Sequence, residues 1–243
     1  MLGIAWNLSW VLPALNLIAF LGALATHRIK KGIVAAAISI VAIFTAFVVF
    51  WFLVSEILQN GFLADQITWF QIAETKIILG FYVDRLTVLL LGLITFVALI
   101  VQVYSFGYMK NEPRFGWFFT VNAFFVAAML ALVLADNLLF LYFAWELVGL
   151  GSYLLIGFWY DRRSAAEAAK KAFITTRIGD VALLIGIIVL FKSTGTFQIS
   201  TIIDHAQSGL IGSQTILISS ILIFILWSEF NSFRFLVNSC FKF

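Results

Sequence analysis

Long apolar stretches alternate with short polar segments along almost the whole chain. A helix of about twenty apolar residues is long enough to cross a hydrocarbon core of about 30 Å. The pattern therefore predicts an all-α fold, a polytopic transmembrane bundle of about seven helices. Their approximate ranges are 5–25, 33–56, 84–105, 115–135, 137–158, 172–191 and 212–230.

Two of the connecting segments have a pattern of their own. Residues 57–81 form a longer and more polar connection than most, with strand-like runs at 66–70 and 76–80. These runs predict a short external hairpin near residues 60–80. The alanine-rich, charged segment 161–171 predicts a cytoplasmic helical lead-in to the sixth span.

Composition agrees with a membrane protein, because 63% of the residues are apolar and only 11% are charged. The net charge of +3 is too small and too dispersed to suggest a nucleic-acid surface. Connections on one predicted side carry nine Lys and Arg residues against three on the other, which places the amino terminus outside. The nine are Arg28, Lys30, Lys31, Lys110, Arg114, Arg162, Arg163, Lys170 and Lys171.

The chain offers few residues for redox chemistry. Cys240 is the single cysteine, so the chain alone forms neither an intramolecular disulfide nor a four-thiolate iron–sulfur cluster. Gly149 and Gly151 are half of a dinucleotide fingerprint and lie within an apolar helix. His27 and His205 lack metal-ligand spacing. We therefore expect redox chemistry to belong to partner subunits.

Ionisable residues inside the predicted spans are the strongest functional signal. A charged side chain at the bilayer centre costs roughly 3 kcal/mol on insertion scales, and such residues usually face protein or a wet cavity. Glu146 lies in span five and shares a helix face with Gly149 and Tyr153. Arg177 and Asp180 lie in span six at the spacing of an intrahelical ion pair.

Two interpretations of these charges remain open. In the first, Arg177 and Asp180 form a structural pair, and Glu146 is a protonated acid that donates one interhelical hydrogen bond. In the second, burial disfavours the charged form of Glu146 while a nearby cation favours it. Moving that cation would then make Glu146 take up or release a proton, as an ion-translocating protein requires.

Two long motifs carry a family resemblance. They are Ala144–Trp159, AWELVGLGSYLLIGFW, and Ala169–Gly186, AKKAFITTRIGDVALLIG. With Phe81–Leu86 and Tyr104–Met109 upstream, residues 1–225 resemble the antiporter-like L chain of bacterial NADH:quinone oxidoreductase, respiratory complex I, which is chain 5 in mitochondria. The sequence VGLGSY at residues 148–153 favours complex I over the related cation/proton antiporter subunits.

The resemblance implies a proton-translocating, non-redox subunit of the membrane arm. NADH, FMN, iron–sulfur clusters and quinone would be bound by partner subunits, and this chain would hold no cofactor and no metal. Its partners would be the antiporter-like M and N chains and membrane lipids, in a bacterial inner membrane. The family's functional positions fall on Glu146, Lys171, Arg177 and Asp180.

The resemblance ends near Ile225. The family continues with a Gly-x-x-Gly-Lys-Ser-Ala-Gln run, a broken seventh helix with a lysine that partners the glutamate, and a second inverted repeat. Residues 226–243 do not match this pattern, which suggests a truncated or frameshifted product. The expected division is residues 1–110 for helices 1–3 and the hairpin, 111–230 for the first part of the translocating repeat, and 231–243 for an atypical tail.

Other functions remain compatible with the sequence. The chain would alternatively serve in a multisubunit sodium/proton antiporter or in a bicarbonate-uptake complex. A third alternative is a non-functional truncated remnant.

Overall fold

The computed structural model describes residues 2–72, 75–212, 215, 218, 219 and 221. Within these residues, six helices are long and apolar enough to cross a membrane. They are α1 (Leu2–Thr26), α2 (Ile33–Asn60), α3 (Arg85–Tyr108), α4 (Phe115–Leu134), α5 (Leu138–Ile156) and α6 (Arg163–Thr194). The helical fold class and six of the predicted spans are thus confirmed, and the seventh, 212–230, lies mostly outside the described residues.

Smaller elements connect the long helices. Two paired strands, β1 (Leu63–Ile72) and β2 (Thr75–Val83), lie between α2 and α3, where the sequence predicts a hairpin. A 3₁₀ turn at Ile29–Gly32 precedes α2, and another at Gly157–Trp159 follows α5. A short helix, α7 (Ile199–Gln207), follows α6 and was not predicted.

Helix α6 is longer than a single membrane crossing requires. Its 32 residues extend for about 48 Å at 1.5 Å per residue, whereas a hydrocarbon core is about 30 Å thick. The extra length is the charged, alanine-rich segment at its start, where Arg163 and Glu167 form an exposed ion pair at 2.9 Å. Gly195 ends the helix in the left-handed conformation, with φ 71°, which glycine adopts without strain.

An aspartate caps the start of α3, and an asparagine caps the start of α5. Asp84 Oδ1 accepts a hydrogen bond from the Thr87 amide at 2.8 Å, which satisfies a free donor in the first turn of α3. Asn137 Oδ1 accepts from the Leu139 and Phe140 amides at 2.7 and 3.4 Å, so it caps α5.

The chain forms two compact units, residues 1–66 with 80–135 and residues 67–79 with 136–243. In the first unit, helices α1 to α4 pack on one another around buried Leu12, Ile43 and Phe119. In the second unit, α5 packs along α6. The functional division at residues 110 and 230 stays a prediction, because compactness does not report function.

The first unit also buries a chain of uncharged polar side chains. Ser39 on α2 donates its hydroxyl to Gln102 Oε1 on α3 at 3.0 Å. The Gln102 amide donates in turn to Asn122 Oδ1 on α4 at 3.2 Å. A polar side chain inside an apolar span is stabilised by bonding to a polar group on a neighbouring helix. These two bonds therefore link α2, α3 and α4.

Candidate functional site

The site residues lie on α5 and α6, and contacts at both ends hold these two helices side by side. At one end, the Leu138 amide donates to the Phe197 carbonyl at 2.9 Å, and the Ile199 amide donates to the Asp136 carbonyl at 3.1 Å. At the other end, a methyl group at Gly157 would lie 3.4 Å from the Ala169 side chain. The start of α5 therefore lies beside the end of α6, and the helices run antiparallel.

Glu146 and Arg177 form an ion pair across the two helices, between Glu146 Oε2 and Arg177 Nη1. Their side chains are 21% and 31% exposed in the isolated chain. Glu146 lies eight residues into α5, about 12 Å along the axis from Leu138. The ion pair is thus placed near the middle of the span, where an unpaired charge would be costly.

The same guanidinium faces a second acid. Arg177 Nη1 lies 3.6 Å from Asp180 Oδ2 on its own helix. The Asp180 side chain is only 3% exposed. One cation is therefore shared by two carboxylates, one on each helix.

Asp180 has a further partner on α5. The indole Nε1–H of Trp145 donates a hydrogen bond to Asp180 Oδ1 at 2.8 Å. Hydrogen bonds to an ionised acceptor are stronger than neutral ones. The two carboxylate oxygens of Asp180 thus have different neighbours, an indole and a guanidinium.

Small and aromatic residues shape the space around Arg177. The guanidinium carbon lies 4.5 Å from the centre of the Phe173 ring, an arrangement that stabilises a cation. Phe173 also contacts Tyr153, with ring centres 5.1 Å apart. A methyl group at Gly149 would lie 3.6 Å from Arg177 Nη2, an ordinary contact, so the guanidinium lies beside α5 at this glycine.

The arrangement places one guanidinium where it can stabilise either of two carboxylates. Arg177 has Glu146 and Asp180 as alternative partners, and an opposite charge favours the ionised form of a carboxyl group. If Arg177 moves toward one acid, the other loses that stabilisation and becomes easier to protonate. Tyr142, one turn before Glu146 on α5, lies within electrostatic range of both Asp180 and Arg177.

The structure brings together three of the four predicted site residues: Glu146, Arg177 and Asp180. Lys171 is exposed and lies six residues before Arg177 on α6, about 9 Å along the axis. It makes no ion pair with this cluster.

Two residues of the site were not predicted, Trp145 and Tyr142. The signal available for Trp145 was its position next to Glu146, together with the need of a buried indole N–H for an acceptor. Tyr142 precedes Glu146 by four residues, so the helical period places both on one face.

These features define a class, the polytopic membrane proteins that hold ionisable groups inside their spans. Comparison with known proteins narrows this class. Residues 69–119 match the family described as NADH-ubiquinone oxidoreductase (complex I), chain 5 N-terminus. Residues 135–228 match the NADH:quinone oxidoreductase/Mrp antiporter transmembrane family.

Curated relatives agree with the family matches. The chain is 36% identical over 233 residues to NAD(P)H-quinone oxidoreductase chain 5 of Synechocystis sp., covering 90% of this chain and 34% of that protein. It is 43% identical over 169 residues to F(420)H(2) dehydrogenase subunit L of Methanosarcina mazei, covering 67% of this chain and 25% of the relative. The chain belongs to the family of antiporter-like chain 5, or L, subunits of complex I.

Solved structures share the fold at lower identity. The Mrp complex from Dietzia sp. matches with a TM-score of 0.76 at 21% identity, over 92% of this chain and 23% of the other. An archaeal membrane-bound sulfane sulfur reductase matches with a TM-score of 0.76 at 17% identity, over 88% and 43%. The chain spans about a third or less of the length of the two curated relatives described above.

Proposed function

We propose that this chain acts as a proton-translocating subunit in the membrane arm of an NADH:quinone oxidoreductase. The observation that carries the proposal is the Glu146–Arg177 ion pair with Asp180 as a second acid on the same guanidinium. Electron transfer in partner subunits would change the charge near this cluster. Arg177 would respond by exchanging partners, and the acid that it leaves would take up a proton.

Each predicted site residue has its own part in this proposal. Glu146 carries the proton, Arg177 sets which acid is charged, and Asp180 is the alternative partner of Arg177. Lys171 is exposed near the beginning of α6, where it would exchange protons with water at the membrane surface. Its ammonium group can release a proton and the resulting amine can take one up, which suits that position.

The proposal includes a non-redox role and a cellular setting. NADH, FMN, iron–sulfur clusters and quinone would be bound by partner subunits, and the chain would contact the M and N chains and lipids. We place it in a bacterial inner membrane with the amino terminus outside. The excess of Lys and Arg in alternate connections, nine against three, supports this orientation.

The test is Glu146→Gln in the assembled complex, assayed in inside-out membrane vesicles. NADH oxidation is followed by absorbance, and proton uptake by a pH-sensitive dye. The variant should assemble, but it should lose coupled proton movement because the amide cannot take up a proton. Glu167→Gln is the matched control, since this carboxylate on α6 is exposed and its ion pair contributes little. Full pumping by Glu146→Gln would contradict the proposal.

A second candidate is a subunit of a sodium/proton antiporter, favoured by the shared fold with the Mrp complex. The same vesicles separate the two functions. An antiporter subunit should move protons in response to an imposed sodium gradient without NADH, whereas a complex I subunit should require electron transfer.

A further inference from the structure

The structure assigns a positioning role to Trp145: its indole N–H fixes Asp180 as the second partner of Arg177. This inference rests on the proposed function and adds a residue to it. The hydrogen bond from Trp145 Nε1 to Asp180 Oδ1 measures 2.8 Å. It leaves the other oxygen, Oδ2, directed to Arg177 Nη1 at 3.6 Å.

The two interhelical bonds have opposite polarity. From α5, Glu146 offers an acceptor to the cation of α6, and its neighbour Trp145 offers a donor to the anion of α6. Arg177 and Asp180 are three residues apart, so they occupy one face of α6. Successive residues of α5 therefore hold both members of the intrahelical pair.

This arrangement gives the two acids unequal freedom. The side chain of Asp180 is 3% exposed and is held on one oxygen by a rigid indole. Glu146 is less buried, and Arg177 is the partner that the structure gives its carboxylate. When Glu146 takes up a proton, Arg177 has a carboxylate that is already oriented to receive it. Trp145 thus determines where the cation goes.

Charged and titratable groups of both α5 and α6 surround the Trp145–Asp180 hydrogen bond. Arg177 on α6 and Tyr142 on α5 interact electrostatically with Asp180, and Glu146 on α5 shares Arg177 with it. Among the described residues, the side-chain donor that the structure places on Asp180 Oδ1 is the Trp145 indole. Loss of the Trp145 N–H should therefore leave Asp180 free to rotate.

The experiment uses Trp145→Phe in the assembled complex, with Trp51→Phe as the matched control. Trp51 lies on α2 and is 58% exposed, so its replacement should leave the rate of proton uptake unchanged. Loss of a hydrogen bond to a charged group predicts a roughly tenfold slower proton uptake by Trp145→Phe vesicles. Replacement of Trp145 by benzothienylalanine keeps the ring shape without the N–H and should give the same loss, which covers the case that Trp145→Phe fails to assemble.

A spectroscopic signature tests the bond itself. The infrared carboxylate band that disappears in Asp180→Asn should shift in Trp145→Phe and stay unchanged in Trp51→Phe. Combining Trp145→Phe with Asp180→Asn should slow proton uptake no further than Asp180→Asn alone, because Trp145 acts through Asp180.

The outcomes separate this inference from the proposed function. An unshifted band, or additive losses in the double variant, would overturn the role of Trp145 even if Glu146→Gln abolishes pumping. If Glu146→Gln and Asp180→Asn both pump fully, the proposed function fails, and the inference fails with it as a statement about translocation. In that case a shifted band would still establish that Trp145 holds Asp180.

Discussion

The contact between Gly32 and Gly116 provides a sharp test of the packing of the first unit. Gly116 lies in the first turn of α4, and Gly32, with φ 84°, precedes α2. A methyl group built on Gly116 would lie 2.2 Å from the His27 carbonyl oxygen and 2.7 Å from the Gly32 α-carbon. Both neighbours are backbone atoms, so no change of side-chain rotamer relieves the overlap. Gly116→Ala therefore requires the backbone to move.

The expected magnitude follows from these distances. The methyl group and the His27 oxygen must separate by about 1.2 Å to reach the 3.4 Å of ordinary contact. Overpacking of this kind costs up to about 3 kcal/mol, whereas alanine gains about 1 kcal/mol over glycine in a helix. We expect Gly116→Ala to lower the free energy of unfolding by about 2 kcal/mol, a factor of about 30 in the folded-to-unfolded ratio.

The measurement is equilibrium unfolding of the purified chain in mixed micelles, followed by tryptophan fluorescence during titration with a denaturing detergent. Gly107→Ala is the control, because a methyl group at Gly107 on α3 would meet nothing within 4 Å. That variant should gain up to about 1 kcal/mol from helix propensity. If Gly116→Ala is as stable as Gly107→Ala, the close approach of the two backbones does not exist.

Two further predictions concern polar groups at other places in the bundle. Gln102→Leu should lower the free energy of unfolding by about 1–2 kcal/mol. The substitution removes both interhelical bonds of Gln102, to Ser39 and to Asn122. The same titration should find the stability of the exposed control Val103→Leu unchanged. Asn137→Ala should cost about 1 kcal/mol and speed hydrogen exchange in the first turn of α5, whereas Asn137→Asp should keep the slow exchange. Protection that is equal in the two Asn137 variants would contradict the capping role.

The spanning helices could be predicted from sequence because their signal is strong and local. About twenty apolar residues bounded by polar ones leave few alternatives in a bilayer, where backbone groups must bond internally. Helix α6 shows the limit of this signal. Hydropathy marks 172–191, but the helix begins at Arg163. Its charged, alanine-rich start favours a helix without being apolar, and composition rather than hydropathy predicted that segment as a helical lead-in. Helix α7 has nine residues and is too short to leave such a pattern.

The site could be predicted only in part. The spacing of Arg177 and Asp180 is a local property of one helix, so their proximity follows from sequence. The pairing of Glu146 with Arg177 depends on how α5 and α6 are rotated about their axes, which short-range patterns do not specify. The bond from Trp145 to Asp180 depends on the same rotation. Gln102 illustrates a signal that was available but unused, because an amide inside an apolar span requires a polar partner.

The two units bury polar groups of different kinds, and the difference bears on mechanism. Among the described residues of the first unit, the buried polar side chains carry no charge, and several, such as Gln102 and Asn122, bond to one another. Amides and hydroxyls of this kind do not change charge near neutral pH, so a nearby charge cannot switch their protonation. The second unit buries Asp180 beside Arg177 and Glu146, whose carboxyl groups can exchange protons. The uncharged hydrogen-bond network of the first unit suits a structural role, whereas a guanidinium shared by two carboxylates suits a change of protonation state. This contrast favours the α5–α6 pair as the place where the described part of the chain responds to charge.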